Sequence, residues 1–319
     1  FSEQPDTGSF NEVAGFTKFN VAFPGLLGRS EQLSTSEMQA FTDFVLQITY
    51  PPNPVRSLDN SLDPEQQAGR DFYFGDTMGG LPSDTFETCN GCHVLDPDGN
   101  RKFGVARPGF FGTDGRSSFE NETQLFKIPH LRNLYQKVGM FGMSPDVFFP
   151  HDPFDFTGDQ VRGFGFLHDG STDTLFRFHG AAVFTRAPFN PGGIPVGEEG
   201  AIIRRQLEAF LLAFDSNLAP IVGQQITLSA TNGAAVGPRI DLLEVRAGAA
   251  ECDLVAKGRV KGEAAGFLYR LADGTFLRSH SKDPPRTDPE LRALANEPLG
   301  EITFTCAPPG SGSRIANDL

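Results

Sequence analysis

Residues 89–93 read Cys-Asn-Gly-Cys-His, and this stretch decides how the rest of the chain of 319 residues is interpreted. The C-x-x-C-H pattern is typical of covalent c-type haem attachment. Two thiols spaced on one short helical turn reach the two vinyl groups of a porphyrin, and the adjacent histidine faces the iron. The sequence therefore predicts one covalently bound haem c held by Cys89 and Cys92, with His93 as an iron ligand.

Two other interpretations of the Cys-x-x-Cys pair have less support. A structural zinc site needs a second Cys or His pair at finger-like spacing, whereas Cys252 and Cys306 stand alone. A thioredoxin-like dithiol sits near a βαβ unit, and no such pattern surrounds Cys89. We therefore favour haem over zinc and over a redox dithiol.

Composition restricts the classes of partner. The formal net charge is −13, from 40 acidic and 27 basic residues, and no basic run occurs. Such a chain repels a polyanionic backbone, so no nucleic-acid partner is expected. The sequence contains no apolar run of about 18 residues or more, so no membrane span is predicted. Acidity is compatible with a basic redox partner, although it mostly reports solubility.

The cysteines also indicate the cellular compartment in which the protein works. Two of the four lie outside the haem motif. In an oxidising compartment Cys252 and Cys306 are expected to form a disulfide, and two buried free thiols are the alternative. Because haem c is attached outside the bacterial cytoplasm, the predicted location is the periplasm or the extracellular cell surface.

Helical patterns occupy the first two thirds of the chain. Residues 34–48 begin with Ser34 and Thr35, either of which can cap a helix, and repeat apolar residues on one face. Residues 63–74 begin Asp-Pro, a cap and first-turn pair, and residues 200–214 carry an apolar stripe. These three segments are predicted to be helices, whereas residues 97–118 and 144–165 are predicted to be loops.

Beyond residue 222 the pattern changes to alternation. Residues 226–229 and 301–306, and parts of 240–245, alternate apolar and polar side chains, which favours strands. Residues 267–271 and 275–279 flank Ala-Asp-Gly, a hairpin signal. One short helix is predicted around residues 289–296.

A further set of motifs resembles a known family. Residues 126–133 read Phe-Lys-Ile-Pro-His-Leu-Arg-Asn, residues 166–171 read Phe-Leu-His-Asp-Gly-Ser, and Thr-Leu follows at 174–175. This succession is similar to the C-terminal haem domain of bacterial di-haem cytochrome c peroxidase relatives. In that family the Lys-x-Pro-x-Leu-Arg-Asn segment lies across the haem, and the His-Asp-Gly turn leads into a helix. The resemblance covers residues 60–215, with the predicted loop 144–165 as an insertion.

The resemblance implies roles for two residues of the first motif. Pro129 is expected to pack on the ring edge, with a plain turn proline as the alternative. Arg132 is expected to reach a haem propionate, because a guanidinium matches a carboxylate in two hydrogen bonds. Pairing of Arg132 with a nearby aspartate is the alternative.

The sixth iron ligand is chosen from several downstream residues. Single-haem relatives carry a methionine between the two motifs, and Met140 lies closest to the expected offset, ahead of Met143. In the peroxidases the methionine comes from the later helix, where the matching position is about Ala182 and His179 is a substitute three residues earlier. A thioether ligand raises the reduction potential, whereas bis-His ligation lowers it. The remaining alternatives are His130, His151, His168 and an open position.

These patterns give the expected organisation. Residues 1–33 show little periodicity and are interpreted as loop or extended linker, or the remnant of an upstream region. Residues 34–220 are predicted to form a mainly α, cytochrome c-like haem domain with long loops. Residues 221–319 are predicted to form a small β-rich C-terminal domain.

The expected function is electron transfer to or from a redox partner protein. Di-haem peroxidases need two haems, and this chain holds a single C-x-x-C-H, so the resemblance does not carry peroxidase activity over. One alternative is a peroxidase-type enzyme whose second haem comes from a missing segment or a partner. Another is a haem-bearing module of a larger secreted assembly. A tightly bound methionine argues for the carrier, and an exchangeable water argues for the enzyme.

Overall fold

The computed structural model describes residues 12–84, 87–93, 110–111, 126–127, 129–139, 163–167, 170, 172–260, 262–279, 282–297 and 300–317. The chain forms two compact units, each with its own hydrophobic core. The first unit consists of residues 1–49 and 62–214, and the second of residues 50–61 and 215–319.

The first unit is built mainly from short helices. One two-stranded antiparallel ladder accompanies them among its described residues. Its elements are α1 (Glu12–Thr17), α2 (Ala22–Leu27), α3 (Thr35–Val45), α4 (Pro64–Phe74), α5 (Cys89–Cys92), β1 (Phe110–Phe111), β2 (Phe126–Lys127), α6 (Leu175–Phe178) and α7 (Glu198–Leu212).

The predicted helix starts are confirmed for α3 and α4. The Ser34 hydroxyl accepts a hydrogen bond from the Glu37 N–H, and the Glu37 carboxylate accepts one from the Ser34 N–H at 2.9 Å. Asp63 and Gln66 form the same reciprocal box at the start of α4, with bonds of 2.8 and 3.1 Å. Each box satisfies two N–H groups that the first turn leaves unpaired. Gly75 ends α4 in the left-handed region at φ +83°.

Helices α4 and α7 form the centre of the first unit. A Cβ at Gly69 would overlap the Gln206 carbonyl oxygen and would lie 2.9 Å from Phe210 Cβ, so only glycine permits this approach. Tyr73 of α4 is buried, and its ring centroid lies 5.4 Å from that of Phe210 and 5.9 Å from that of Phe214. The site described below is supported by this helix pair.

The prediction of loop or extended backbone for residues 1–33 is wrong for residues 12–27. These residues form α1, a 3-10 turn at Lys18–Val21, and α2. Phe16, Phe19 and Phe23 are spaced by three and four residues, which places them on one helical face. The ring of Phe41 lies 5.3 Å from Phe16 and 6.0 Å from Phe23. Aromatic packing therefore orders a segment in which the sequence shows little overall periodicity.

The second unit combines a five-stranded antiparallel sheet with helices. The strand order is β3-β7-β4-β5-β6. Its elements are β3 (Gln225–Leu228), α8 (Gly233–Gly248), β4 (Asp253–Val260), β5 (Glu263–Arg270), β6 (Thr275–Arg278), α9 (Asp288–Ala293), β7 (Ile302–Ala307) and α10 (Gly312–Ile315).

The predicted fold class is wrong. About 41% of the described residues are helical and the chain also contains a five-stranded antiparallel sheet, so it is mixed, and a mainly α cytochrome c fold is not shown. Part of the error lies in residues 240–245, parts of which are predicted as strand and which belong to α8. Ile240, Leu243 and Ala247 are its buried residues. Their spacing of three and four residues fits a helix. A short apolar run is compatible with both the helical period of 3.6 residues and the strand period of 2.

Several local predictions in the second unit are confirmed. β5 and β6 pair from Arg270↔Thr275 to Phe267↔Arg278, around the predicted hairpin turn. The short helix near residues 289–296 is α9 with a following 3-10 turn. Cys252 and Cys306 form the expected disulfide, with their Cα atoms 5.3 Å apart.

No helix in the described part of the chain is long and apolar enough to cross a membrane.

Candidate haem site

The C-x-x-C-H motif adopts the short helical turn that the sequence predicts. The Thr88 hydroxyl caps α5 by accepting a hydrogen bond from the Gly91 N–H at 3.2 Å. The His93 N–H donates to the Cys89 carbonyl at 3.0 Å and closes the turn. A Cβ at Gly91 would lie 2.8 Å from Glu87 Cβ, so the glycine lets the turn pack on the segment before it. A short helical turn at this motif is compatible with the predicted haem attachment, which stays a prediction.

Cys89 carries a protonated thiol in this environment. Its Sγ is 3.5 Å from the Ser83 hydroxyl, and burial raises the pKa of Cys89 to about 11 despite that contact. Reactive and redox dithiol cysteines instead have a lowered pKa, because the thiolate is the nucleophile. The surroundings of Cys89 therefore do not support the redox-dithiol interpretation.

Asn190 anchors the loop that precedes α5. Its side chain is fully buried, and its Nδ2 donates to the carbonyl oxygens of Ser83, Val183 and Thr185 at 3.1, 3.1 and 3.2 Å. The segment around Ser83 is thereby tied to the chain after α6. Sequence reasoning missed this residue, because a single asparagine among turn residues carries no periodic or motif signal.

His93 is oriented by two distant segments. Its Nδ1 lies 3.0 Å from the Pro129 carbonyl oxygen, and the Tyr73 hydroxyl donates to the His93 carbonyl at 3.2 Å. In the tautomer that donates from Nδ1, Nε2 keeps its lone pair for a metal ion. Burial lowers the pKa of His93, although the Pro129 contact and the charge of Asp84 act the other way. A neutral imidazole is the form that binds a metal.

Pro129 and Arg132 lie in one segment at the site. Pro129 acts on His93 through its carbonyl oxygen, and its expected packing on the ring edge stays a prediction. The Nε of Arg132 is buried and has no hydrogen-bond partner among the described residues. Buried guanidinium groups almost always have an acceptor, and a haem propionate is an acceptor of matching geometry. The segment fits the expected role of Arg132, which also stays a prediction.

His179 lies at the end of α6 in an apolar setting. It is 7% exposed, and its ring centroid lies 5.5 Å from that of Phe178 and 5.8 Å from that of Phe184. Burial lowers the pKa of His179 to about 3, and the charges of Arg204 and His93 add to the effect. The Phe184 ring that contacts His179 lies between two residues whose carbonyls bind Asn190, and Asn190 also binds Ser83, so His179 and the loop before α5 share one neighbourhood.

Helix α6 is held firmly on α7. The Thr174 hydroxyl caps it by accepting from the Arg177 N–H at 3.1 Å, and the Phe176 N–H donates to Glu208 of α7 at 3.0 Å. Asp173 and Arg177 form an ion pair of 3.1 Å whose side chains are 2% and 1% exposed. The position of the α6 terminus is therefore set by buried polar contacts as well as by packing.

A cavity of about 130 Å³ lies against His179. This volume is about ten times the space that one water molecule needs. Within the described ranges, no cluster of three or more His, Cys, Asp or Glu is arranged to hold a metal ion. The residues that line the cavity are His179, Thr185, Ile194, Pro195, Val196, Gly197 and Arg204.

The other predicted ligands are placed as follows. His130 is exposed, and its Nδ1 accepts a hydrogen bond from the Arg132 N–H at 3.2 Å. Met140, Met143, His151 and His168 lie outside the described residues, as does the side chain of Cys92.

No protein-family model, curated protein or solved structure matches the chain. The resemblance to the peroxidase relatives therefore rests on the motif residues alone.

Proposed function

We propose that the protein is an electron carrier with a single haem c attached at Cys89 and Cys92. The observation that carries the proposal is the arrangement of His93 at the end of the C-x-x-C-H turn. Its Nδ1 faces the Pro129 carbonyl at 3.0 Å, which leaves Nε2 for iron. When bound, the haem supplies a one-electron iron couple whose potential depends on its axial ligands and surroundings.

The residues of the first unit would bind, orient and shield the group. Attachment is the role of the two cysteines, and Pro129 and Tyr73 fix the orientation of His93. A core of apolar side chains around α4 and α7 packs against the partly buried Cys89 and would shield that side of the haem from water. Low water access and fixed ligands suit electron transfer, because little rearranges when the charge changes.

Haem attachment is tested by expressing the chain for export together with the c-type maturation machinery. We expect one covalent haem per chain. Each of the variants Cys89→Ala and Cys92→Ala should lose at least one of the two covalent links to the haem. The double variant Cys252→Ser/Cys306→Ser is a matched control, because it removes two cysteines from the second unit and should keep the haem. A purified wild-type chain with zinc or free thiols in place of haem would refute the proposal.

The carrier and enzyme alternatives are separated by the iron itself. A low-spin spectrum that does not change with cyanide or carbon monoxide supports the carrier. A high-spin iron that binds either ligand readily would favour the peroxidase-type enzyme, because an open position is what peroxide needs.

We further propose a location outside the cytoplasm and a basic redox partner. The disulfide supports the first point, because such bonds persist mainly in oxidising compartments. The net charge of −13 supports the second, because opposite charges steer encounter. Reduction by a basic soluble donor protein should be faster than by an acidic one at low salt, and the difference should shrink as salt rises. Equal rates with both donors at low salt would refute the choice of partner.

A further inference from the structure

We infer that His179 is the second axial ligand of the haem iron. The inference rests on the proposed haem function and deepens it, because the second axial ligand determines whether the reduction potential of the iron is high or low. It competes with the prediction of Met140 or Met143, so a single spectrum separates the assignments.

The first argument is the state of the His179 side chain. The imidazole is 93% buried, and its Nδ1 has no hydrogen-bond partner among the residues that the structure describes. A buried polar group left unpaired costs about 1–3 kcal/mol, so native structures rarely keep one without a reason. The imidazole contacts the rings of Phe178 and Phe184 and borders the cavity described above.

The second argument is proximity to His93. The His179 ring contacts that of Phe184, and the carbonyls on either side of Phe184 bind Asn190. Asn190 also holds the carbonyl of Ser83, whose hydroxyl lies 3.5 Å from the Cys89 Sγ. Leu175 of α6 and Leu131, which follows Pro129 closely, belong to one buried cluster. The two histidines therefore approach the same core from different segments, as two axial ligands of one iron must.

The third argument is that both histidines are supported by the same scaffold before any haem is bound. Tyr73 of α4 holds the carbonyl of His93, and Glu208 of α7 holds the start of α6. The close approach of α4 and α7 at Gly69 joins these two supports. Ligands that are positioned in advance lose little entropy when a metal binds.

The protonation state agrees with the geometry. Metal ligation needs a neutral imidazole, and burial keeps His179 neutral at physiological pH. A bis-His iron has a lower reduction potential than a His/Met iron. The protein is therefore expected to work at the low-potential end of single-haem carriers.

The experiment uses the haem-loaded full chain. We expect the oxidised wild type to be low-spin by electron paramagnetic resonance, without the weak far-red sulfur-to-iron band, and to keep this spectrum in Met140→Ala and Met143→Ala. His179→Ala should become high-spin and should regain a low-spin spectrum when imidazole is added. His179→Met should raise the reduction potential. His280→Ala is the control, because it removes a histidine outside the haem motif and outside the candidate ligands, and it should leave the spectrum unchanged.

Each result bears on one claim. A far-red sulfur-to-iron band in the wild type, lost in Met140→Ala or Met143→Ala, would overturn the assignment and leave the haem proposal intact. A wild-type protein without covalent haem would instead overturn the proposed function. The wild-type spectrum is decisive even where a His179 variant folds poorly, and circular dichroism of each variant identifies that case.

Discussion

Replacing Gly69 by alanine tests whether the close contact of α4 and α7 supports the site. A Cβ at this position would overlap the carbonyl oxygen of Gln206 and crowd Phe210. The oxygen belongs to the backbone of α7 and cannot rotate away like a side chain. The two helices must therefore separate, and Tyr73 must move with α4.

The expected loss follows from two opposing terms. Overpacking of a filled core costs about 1–3 kcal/mol, and backbone contact places Gly69→Ala at the upper end of that range. Alanine gains about 1 kcal/mol over glycine in a helix interior. The net loss is about 2 kcal/mol, which lowers the Tm by about 4–8 °C for a unit of this size.

Thermal unfolding followed by circular dichroism measures the effect, and hydrogen exchange locates it. Exchange should rise in α4 and α7, with β4 and β5 of the second unit as an internal reference. Gly15→Ala is the matched control, because a Cβ there meets nothing within 4 Å and the residue lies in α1. That variant should be at least as stable as the wild type. A Gly69→Ala protein that melts with the wild type would refute the reasoning.

Two further predictions concern the second unit. Burial, with the neighbouring Asp288 adding to it, raises the pKa of Glu244 to about 8, even though Arg292 acts the other way. Such a carboxyl keeps its proton in the folded state after the unfolded chain has lost it, so stability falls as pH rises from about 4.5 to about 8. Glu244→Gln should flatten this part of the pH profile of the unfolding free energy, and an unchanged slope would contradict it. The Cys252–Cys306 disulfide closes a segment with a sequence separation of 54, which is worth about 4 kcal/mol by loop entropy. The double serine variant should show a correspondingly lower urea midpoint for the second unit, and an unshifted midpoint would refute that value.

Local chemistry explains which structural predictions succeeded. The caps at Ser34 and Asp63, the turn at Cys89–Cys92 and the hairpin between β5 and β6 each depend on residues only a few positions apart. Hydrogen bonds within a single turn decide these features, so the sequence shows them directly. The helix at Ile240 was misjudged because burial against a distant sheet, rather than local alternation, decides its conformation.

By itself, the sequence determined the chemistry of the site: two thiols and an imidazole at the spacing of haem attachment. Only the tertiary structure decided what surrounds them. The carbonyl of Pro129 reaches His93 from 36 residues away, and Asn190 reaches Ser83 from 107 residues away. The neighbourhood of His179 and His93 likewise depends on the packing of α6, α7 and α4. No short-range pattern encodes such contacts, because they form only when burial of the core brings separate segments together.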